Sequence, residues 1–372
     1  MDRRETERLL EVIRRARAEG RPAAIATVVR VKGNAYRREG TRMVVRQDGT
    51  YECSLSGGCL EPAVAETAAR VIATGEPVVV PYDLADDSIW GLGIGCTGAV
   101  DIRIERLEDD AITHEWLTLL DRGDAAVLVT PLSGVSGRLI VGGAGLIAGT
   151  LSDAGVEQQA VTRARRLLRE PRPASGPESI GSAELFFEIA LPPPELVIFG
   201  AGPDAGPVAQ MAWTLGFAVT VVDIRAAFLT RDRFPDTTLI CAHPGQFAER
   251  VQPRAGAFTL VMNHHVERDQ ECLRFCLDSD AAYVGVLGPR ARYEKLLAGL
   301  AAQGYAPDAA TLSRVRSPVG LSLGAETPHE VAVSIMGEIL AIRRGFEGGF
   351  LSGSVRSLHY PDKDASRLLA NS

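Results

Sequence analysis

Two cysteines stand where a thiol can do chemistry. Cys59 follows a glycine pair in "CSLSGGCLEPAV", residues 53–64, where an apolar strand gives way to a helix. Successive glycine amides and a helix N-terminus make a positive pocket, and a thiol held there gains thiolate character. A thiolate is a soft metal ligand or a sulfur nucleophile. Glu61 lies in the first turn of the same helix, where a carboxylate suits the dipole or acts as an acid or base. Cys96 repeats the arrangement in Gly93-Ile94-Gly95-Cys96-Thr97-Gly98. Glycines at this density favour backbone approach to a ligand over packing. Cys59, Cys96 and Glu61 are therefore the candidate catalytic residues, and the two cysteines the candidate metal ligands. The competing reading is two small buried hydrophobes. Cys53, in a strand, and Cys241, at a strand end, are expected to pack. Cys272 and Cys276 are four apart on a helix beside Leu273 and Leu277, with no histidine near, which favours a core face over a metal pair.

A second glycine loop lies in "ELVIFGAGPDAGPVAQMAWTLGFAVTVVDIR". A strand runs into Gly200-x-Gly202-x-x-Ala205, a helix follows, and a second strand ends in Asp223. Such glycines let the backbone approach a pyrophosphate, and an acid about 20 residues on can hold a ribose. Two residues oppose a dinucleotide. Pro203 lacks an N–H, and Asp204 either caps the helix or repels an anion. NAD(P) binding and an atypical Rossmann-like domain stand as even alternatives. The crevice of such a sheet lies beyond the C-terminal ends of its strands. It would gather Arg225, Asn263, His264, Gly288 and Arg290. Arginines at a helix start suit a phosphate or carboxylate, although a solvated first-turn residue is the commoner fate for Arg290 and Arg292. His265 reads as an ordinary loop residue.

The elements that must position these groups are legible from periodicity. Residues 3–18 put Leu9, Leu10 and Ile13 on one helical face. "AAIATVVRV" (23–31) is a strand, and "TRMVVRQDGTYECSLS" a hairpin turning at Asp48-Gly49. The helix after Cys59 stops at Gly75. "PVVVPYDL", "AVDIRIERL", 125–130 and 138–142 are further strands. "REPRPASGPESIGSAE" (169–184) is rich in Pro, Ser and Gly and is expected as a linker. From 195 onward, strands at 195–199, 218–222, 237–242, 258–262 and 282–287 alternate with helices, the pattern of a doubly wound parallel sheet. The fold class is α/β: a mixed α/β N-terminal domain (1–168), a linker and lead-in strand (169–194), a Rossmann-like domain (195–345) and a tail (346–372).

A chain of 372 residues with 46% hydrophobic content can bury two or three cores. Its net charge of −7 gives no reason to expect nucleic acid or an anionic membrane. No run has the length and apolarity of a membrane helix or a signal peptide. Six irregularly spaced cysteines point to reduced thiols and a cytoplasmic location. There is no His-Glu-x-x-His, P-loop or Gly-x-Ser-x-Gly, which disfavours zinc proteases and serine hydrolases. Two domains with apolar edges on a loose linker suggest a homodimer.

Taken together, "VVRVKGNAYRREGTRMVVRQDG", "SLSGGCLE" and "LGIGCTGAVDI" resemble the N-terminal domain of the XdhC/CoxI family. "ELVIFGAGPDA", "VTVVDIR", "VMNHHVERD", "YVGVLGPRARYEKLL" and "SPVGLSLGAETPHEVAVSIMGEIL" resemble its C-terminal Rossmann domain. The resemblance spans nearly the whole chain and keeps the motif order. It implies an accessory protein of xanthine dehydrogenase and related molybdenum hydroxylases. Such a protein would bind the molybdenum cofactor (molybdopterin), support its sulfuration with a cysteine desulfurase as sulfur source, and deliver it to the apo-hydroxylase. Cys59 or Cys96 would then meet the metal, and the amides of Gly57 and Gly58 the phosphate, with Arg37 and Arg42 nearby. The Rossmann domain, through Gly200, Gly202, Asp223, Arg225, His264 and Arg290, would hold a nucleotide or the pterin. The chain departs from the family at Asn34 (usually serine), Glu39 (proline), Cys53 (glycine) and Thr97 (glycine or asparagine). The alternative function is an NAD(P)-dependent oxidoreductase; a nucleotide-binding regulator ranks last.

Overall fold

A computed structural model describes residues 2–33, 35, 37–83 and 98–352. The chain divides into two compact units between Pro192 and Pro193.

The first unit holds two antiparallel five-stranded sheets. One is built from β1 (Ala23–Lys32), β2 (Arg42–Arg46), β3 (Tyr51–Glu52), β4 (Val78–Asp83) and β5 (Ala99–Arg106), in the order β3-β2-β1-β5-β4. Helix α1 (Arg3–Ala18) opens with a capping box of Asp2 and Glu5 and lays Leu9, Leu10 and Ile13 inward, as its periodicity predicts. Helix α2 (Glu61–Thr74) packs Val64, Ala68 and Val71 against the β1 and β5 side chains Ala26, Ile102 and Ile104. It ends at Gly75, which takes the left-handed conformation glycine tolerates.

The second sheet comprises β6 (Ala126–Ser133), β7 (Gly137–Gly142), β8 (Leu146–Leu151), β9 (Gly176–Ile180) and β10 (Ala183–Ala190), in the order β8-β7-β6-β10-β9. Helices α3 (Ala111–Arg122) and α4 (Ala154–Leu167) cover it. Here the linker expected over 169–184 is corrected. Residues 176–180 and 183–190 form a hairpin whose two-residue turn is Gly181-Ser182, with Ile180 opposite Ala183. Pro177 is tolerated because β9 is an edge strand.

The second unit is the doubly wound parallel sheet expected from the sequence. Its strands β11 (Glu195–Phe199), β12 (Ala218–Asp223), β13 (Thr238–Cys241), β14 (Phe258–Val261), β15 (Tyr283–Val286) and β16 (Val315–Arg316) lie in the order β13-β12-β11-β14-β15-β16. Alternation along β11 sends Leu196 and Ile198 to one face and Val197 and Phe199 to the other. The first face meets α5 (Ala205–Thr214) and, past the short α6 (Phe247–Arg250), the second meets α7 (Val266–Asp278) and α8 (Arg290–Ala302). A small α9 (Ala309–Ser313) precedes β16, and α10 (Pro328–Arg344) closes the unit on the α5 side. Cys272 and Cys276 belong to this core; burial drives the Cys276 thiol up to about 12, so both are packing residues. The strand order reverses between β11 and β14, so the loops after these two strands flank the switch-point crevice.

Candidate functional site

In the first unit the residues around Cys59 form one hydrogen-bonded turn organised by Ser56 and Glu61. The Ser56 hydroxyl oxygen receives the N–H groups of Gly58 (3.1 Å) and Leu60 (3.2 Å) and lies 3.4 Å from the Cys59 sulfur. It donates its own proton to Glu61 Oε2 at 2.6 Å. Glu61 Oε1 accepts from the Ser54 hydroxyl (2.7 Å) and from the N–H groups of Leu55 (3.0 Å) and Ser56 (2.8 Å). Burial alone would raise the Glu61 carboxyl. The hydrogen bonds from Ser56, Ser54 and the backbone outweigh it and hold the group below the ordinary glutamate range.

Glu61 was expected as an acid or base at the helix start. Its carboxylate is buried, and both oxygens are occupied by the turn, so it positions Cys59 instead. The amide of Gly58, expected to hold a phosphate, faces Ser56 instead. Gly58 is needed for its backbone, at φ +110°, and a side chain at Gly57 or Gly58 would meet no atom within 4 Å. The turn is thus exposed at its glycines, and half-buried Cys59 packs against the core behind them. Sequence reasoning misses the role of the two serines. A serine ahead of a helix is a capping signal that could have revealed it.

Because Glu61 is held ionised by the fold, its contribution to stability is present above the unfolded-state carboxyl value and is lost as pH falls through the lower folded value. Replacing Glu61 with Gln should remove this pH dependence. It turns an NH2 toward donors and costs about 1–3 kcal/mol at neutral pH. Urea unfolding across the acid range measures both effects; an unchanged midpoint would show that the turn does not need the carboxylate.

The arginines expected near this site have other partners. Arg42 forms a buried ion pair with Glu188 of β10, and Arg37 pairs with Glu5 of α1. Glu39 accepts the Val31 N–H at 3.0 Å and ties its loop to β1. Cys53 sits just after β3 at φ +63°, a left-handed conformation that glycine adopts more readily. Burial raises its thiol, and it packs with the α1 core. Cys96, with Gly93, Gly95 and Thr97, lies outside the described residues. Among the described residues no group of three or more His, Cys, Asp or Glu side chains could hold a metal ion.

In the second unit the structure brings Gly200, Gly202, Asp204, Asp223, Arg225 and His264 together. Gly200, at φ +114°, passes so close to β14 that a side-chain carbon would sit 2.6 Å from the Met262 carbonyl oxygen. Its N–H donates to Val222 O (2.8 Å), the Ala201 N–H to Asp223 Oδ2 (2.7 Å) and the Ala205 N–H to Gly202 O (3.2 Å). Pro203 has no N–H. The Asp223 carboxylate also accepts from the Arg225 backbone (2.8 Å), Nε (2.9 Å) and Nη2 (2.7 Å), and its side chain is 1% exposed. Arg233, unremarked in sequence, caps the carbonyls of Ala201 (2.9 Å) and Gly202 (3.1 Å).

Three amides of this loop are occupied, the Asp223 carboxylate is buried against Ala201 and Arg225, and Asp204 places a second carboxylate at the head of α5. Asp204 makes no capping bond from its side chain; it pairs with His264 Nε2 at 3.3 Å. His264 takes φ +59°. Asn263 and Arg292 are both bound to buried Asp269. Arg290 is 80% exposed and pairs with Glu294 on the α8 surface, so it does not face the crevice loop as a ligand.

Residues 196–339 match the family model described as the XdhC Rossmann domain, and residues 16–83 the model described as the XdhC and CoxI family. The chain is 34% identical over 330 residues to a Bacillus subtilis (strain 168) protein named as a probable subunit of xanthine dehydrogenase, covering 87% of this chain and 93% of that one. It is 23% identical over 325 residues to the "Molybdenum cofactor insertion chaperone PaoD" of Escherichia coli (strain K12), covering 87% of this chain and 84% of that one. The fold is similar, with a TM-score of 0.73 and 29% identity, to a Bacillus halodurans crystal structure described as a xanthine dehydrogenase, over 93% of this chain and 98% of that one.

Proposed function

The chain belongs to the XdhC and CoxI family, and from that premise we propose that it is a molybdenum-cofactor chaperone for a hydroxylase of the xanthine dehydrogenase type. It carries the cofactor as cargo, supports its sulfuration with a cysteine desulfurase and hands it to the apo-hydroxylase, acting in the cytoplasm as a homodimer. Relatives named for xanthine dehydrogenase and for cofactor insertion support this reading. The observation that carries it is the presentation of Cys59. Its thiol stands at an exposed glycine turn, held by Ser56 and, through Ser56, by the ionised Glu61. A soft sulfur donor on a fixed turn can meet a molybdenum centre without rearrangement. The buried Asp223 and the Asp204 carboxylate at the head of α5 weigh against the oxidoreductase alternative.

The test is activation of a cofactor-free hydroxylase by the protein purified anaerobically with its cargo. The wild-type chain is expected to restore hydroxylase activity. Cys59→Ser, which keeps the Ser56 contact but not the soft donor, is expected to co-purify with less molybdenum and to restore none. Equal molybdenum content and equal activation by both proteins would overturn the role of Cys59.

A further inference from the structure

The arginines expected to meet an anion near Cys59 pair with carboxylates, and arginines without such partners gather elsewhere in the first unit. Residues 163–172 carry five arginines against one glutamate, in a chain whose net charge is −7. Arg163 takes both nearby acids, Glu170 at 2.7 Å and Glu178 at 2.6 Å. Arg165, Arg166, Arg169 and Arg172 have no carboxylate partner among the described residues. The inner side of α4 buries Val156, Ala160, Ala164 and Leu167, which turns Arg165 and Arg166 outward. The chain past the helix continues the row. The Arg169 N–H donates to Arg166 O and the Glu170 N–H to Leu167 O, both at 3.0 Å. Arg166, Arg169 and Arg172 are exposed. The helix dipole accounts for Arg165 and Arg166 in the last turn, but it fades beyond that turn, where Arg169 and Arg172 lie. Like charges at this spacing repel, so on its own the row slightly opposes folding.

We propose that this row is a docking surface for an acidic protein segment, whose carboxylates pair with Arg165, Arg166, Arg169 and Arg172. Each guanidinium fork offers a carboxylate two parallel N–H donors. The row runs along the outside of a helix and the turn after it, so it suits an extended partner rather than a small ion in a cavity. Nucleic acid fits less well. Residues 154–176 hold no aromatic side chain on which a base could stack, and the chain as a whole is acidic. An anionic membrane fits no better, because the apolar side of α4 is packed in the core and none of it is left to insert. The proposal goes beyond the chaperone reading and does not require it.

The test follows the anisotropy of a short fluorescein-labelled peptide of alternating glutamate and glycine as the full chain is added, beside a single-stranded oligouridine of equal charge. The peptide is expected to bind in about 50 mM NaCl, against the net charge of the chain, and to bind about tenfold more weakly in about 500 mM NaCl, where surface charges are screened. The triple change Arg166→Glu, Arg169→Glu and Arg172→Glu should abolish binding. The charge-matched change Arg21→Glu, Arg122→Glu and Arg344→Glu, at exposed arginines elsewhere, should weaken it by no more than about threefold. Replacing Arg166, Arg169 and Arg172 with Gln removes charge without reversing it at the helix end. That variant should bind about tenfold more weakly and melt with the wild type, which separates lost docking from lost fold. No peptide binding at low salt, equal loss in the two glutamate variants, or tighter binding of the oligouridine than of the peptide would each overturn the proposal. The assay uses neither cargo nor hydroxylase, so its failure leaves the chaperone reading untouched.

Discussion

Replacing Arg42 with Met is expected to destabilise the first unit by about 3–5 kcal/mol, far more than loss of a surface arginine. Arg42 starts β2 and Glu188 lies in β10, so their ion pair links the two sheets of this unit. Each side chain is 7% exposed. Burial pushes the Glu188 carboxyl up, and the Arg42 guanidinium opposes that rise without cancelling it. With Arg42 gone, the carboxylate is left in apolar surroundings with its desolvation uncompensated. The deficit should shrink as pH falls through the raised folded value, because protonation removes the buried charge. The double change Arg42→Met with Glu188→Leu should return to within about 1–2 kcal/mol of the wild type, since an apolar pair of similar volume carries no desolvation penalty. Urea unfolding of the four proteins completes the cycle. A small effect of the single change would reopen Arg42 as a ligand-facing arginine.

Legibility followed the range of the interaction. Helix α1, the Asp48-Gly49 hairpin, the Gly75 stop and the parallel strands β11 to β15 are set by local periodicity and turn residues, and they stand where the sequence puts them; the two-residue β16 is too short to leave a periodic signal. The hairpin around Gly181-Ser182 escapes a sequence reading because proline and glycine also mark linkers, whereas here an edge strand accepts the proline and a two-residue turn the glycine. The candidate site was legible in position more than in role. "SGGC" marks the turn, but nothing local shows that Ser56 and Glu61 fill it from inside. Arg42 illustrates the limit most plainly, since its partner lies 146 residues away and pairing between distant strands leaves no periodic trace. The second glycine loop carried information at Pro203 and Asp204, beside which the N–H groups of Gly200, Ala201 and Ala205 are taken up within the fold.

Asp223→Asn is expected to destabilise the second unit by about 3 kcal/mol, and that outcome separates two roles for the same residue. A carboxylate that waits for a ribose is solvated until the ligand arrives, and its amide variant folds as well as the wild type. Asp223 is built differently. It closes the glycine loop through Ala201 and fixes Arg225, whose guanidinium lies 4.0 Å over the Phe228 ring. Burial would raise its carboxyl, but the bonds from the Arg225 side chain and from the Ala201 and Arg225 backbones prevail, and the group titrates below the usual aspartate range. Its stabilisation is therefore complete above the unfolded-state value and is lost as pH falls through the folded one. An asparagine supplies one oxygen where two are needed and turns its NH2 toward an N–H donor. The variant should melt earlier at neutral pH, with the gap to the wild type narrowing in acid as the wild-type carboxylate protonates. Differential scanning calorimetry across that range decides the matter. A variant that melts with the wild type at every pH would return Asp223 to the ligand-binding role that its place at the end of β12 suggests.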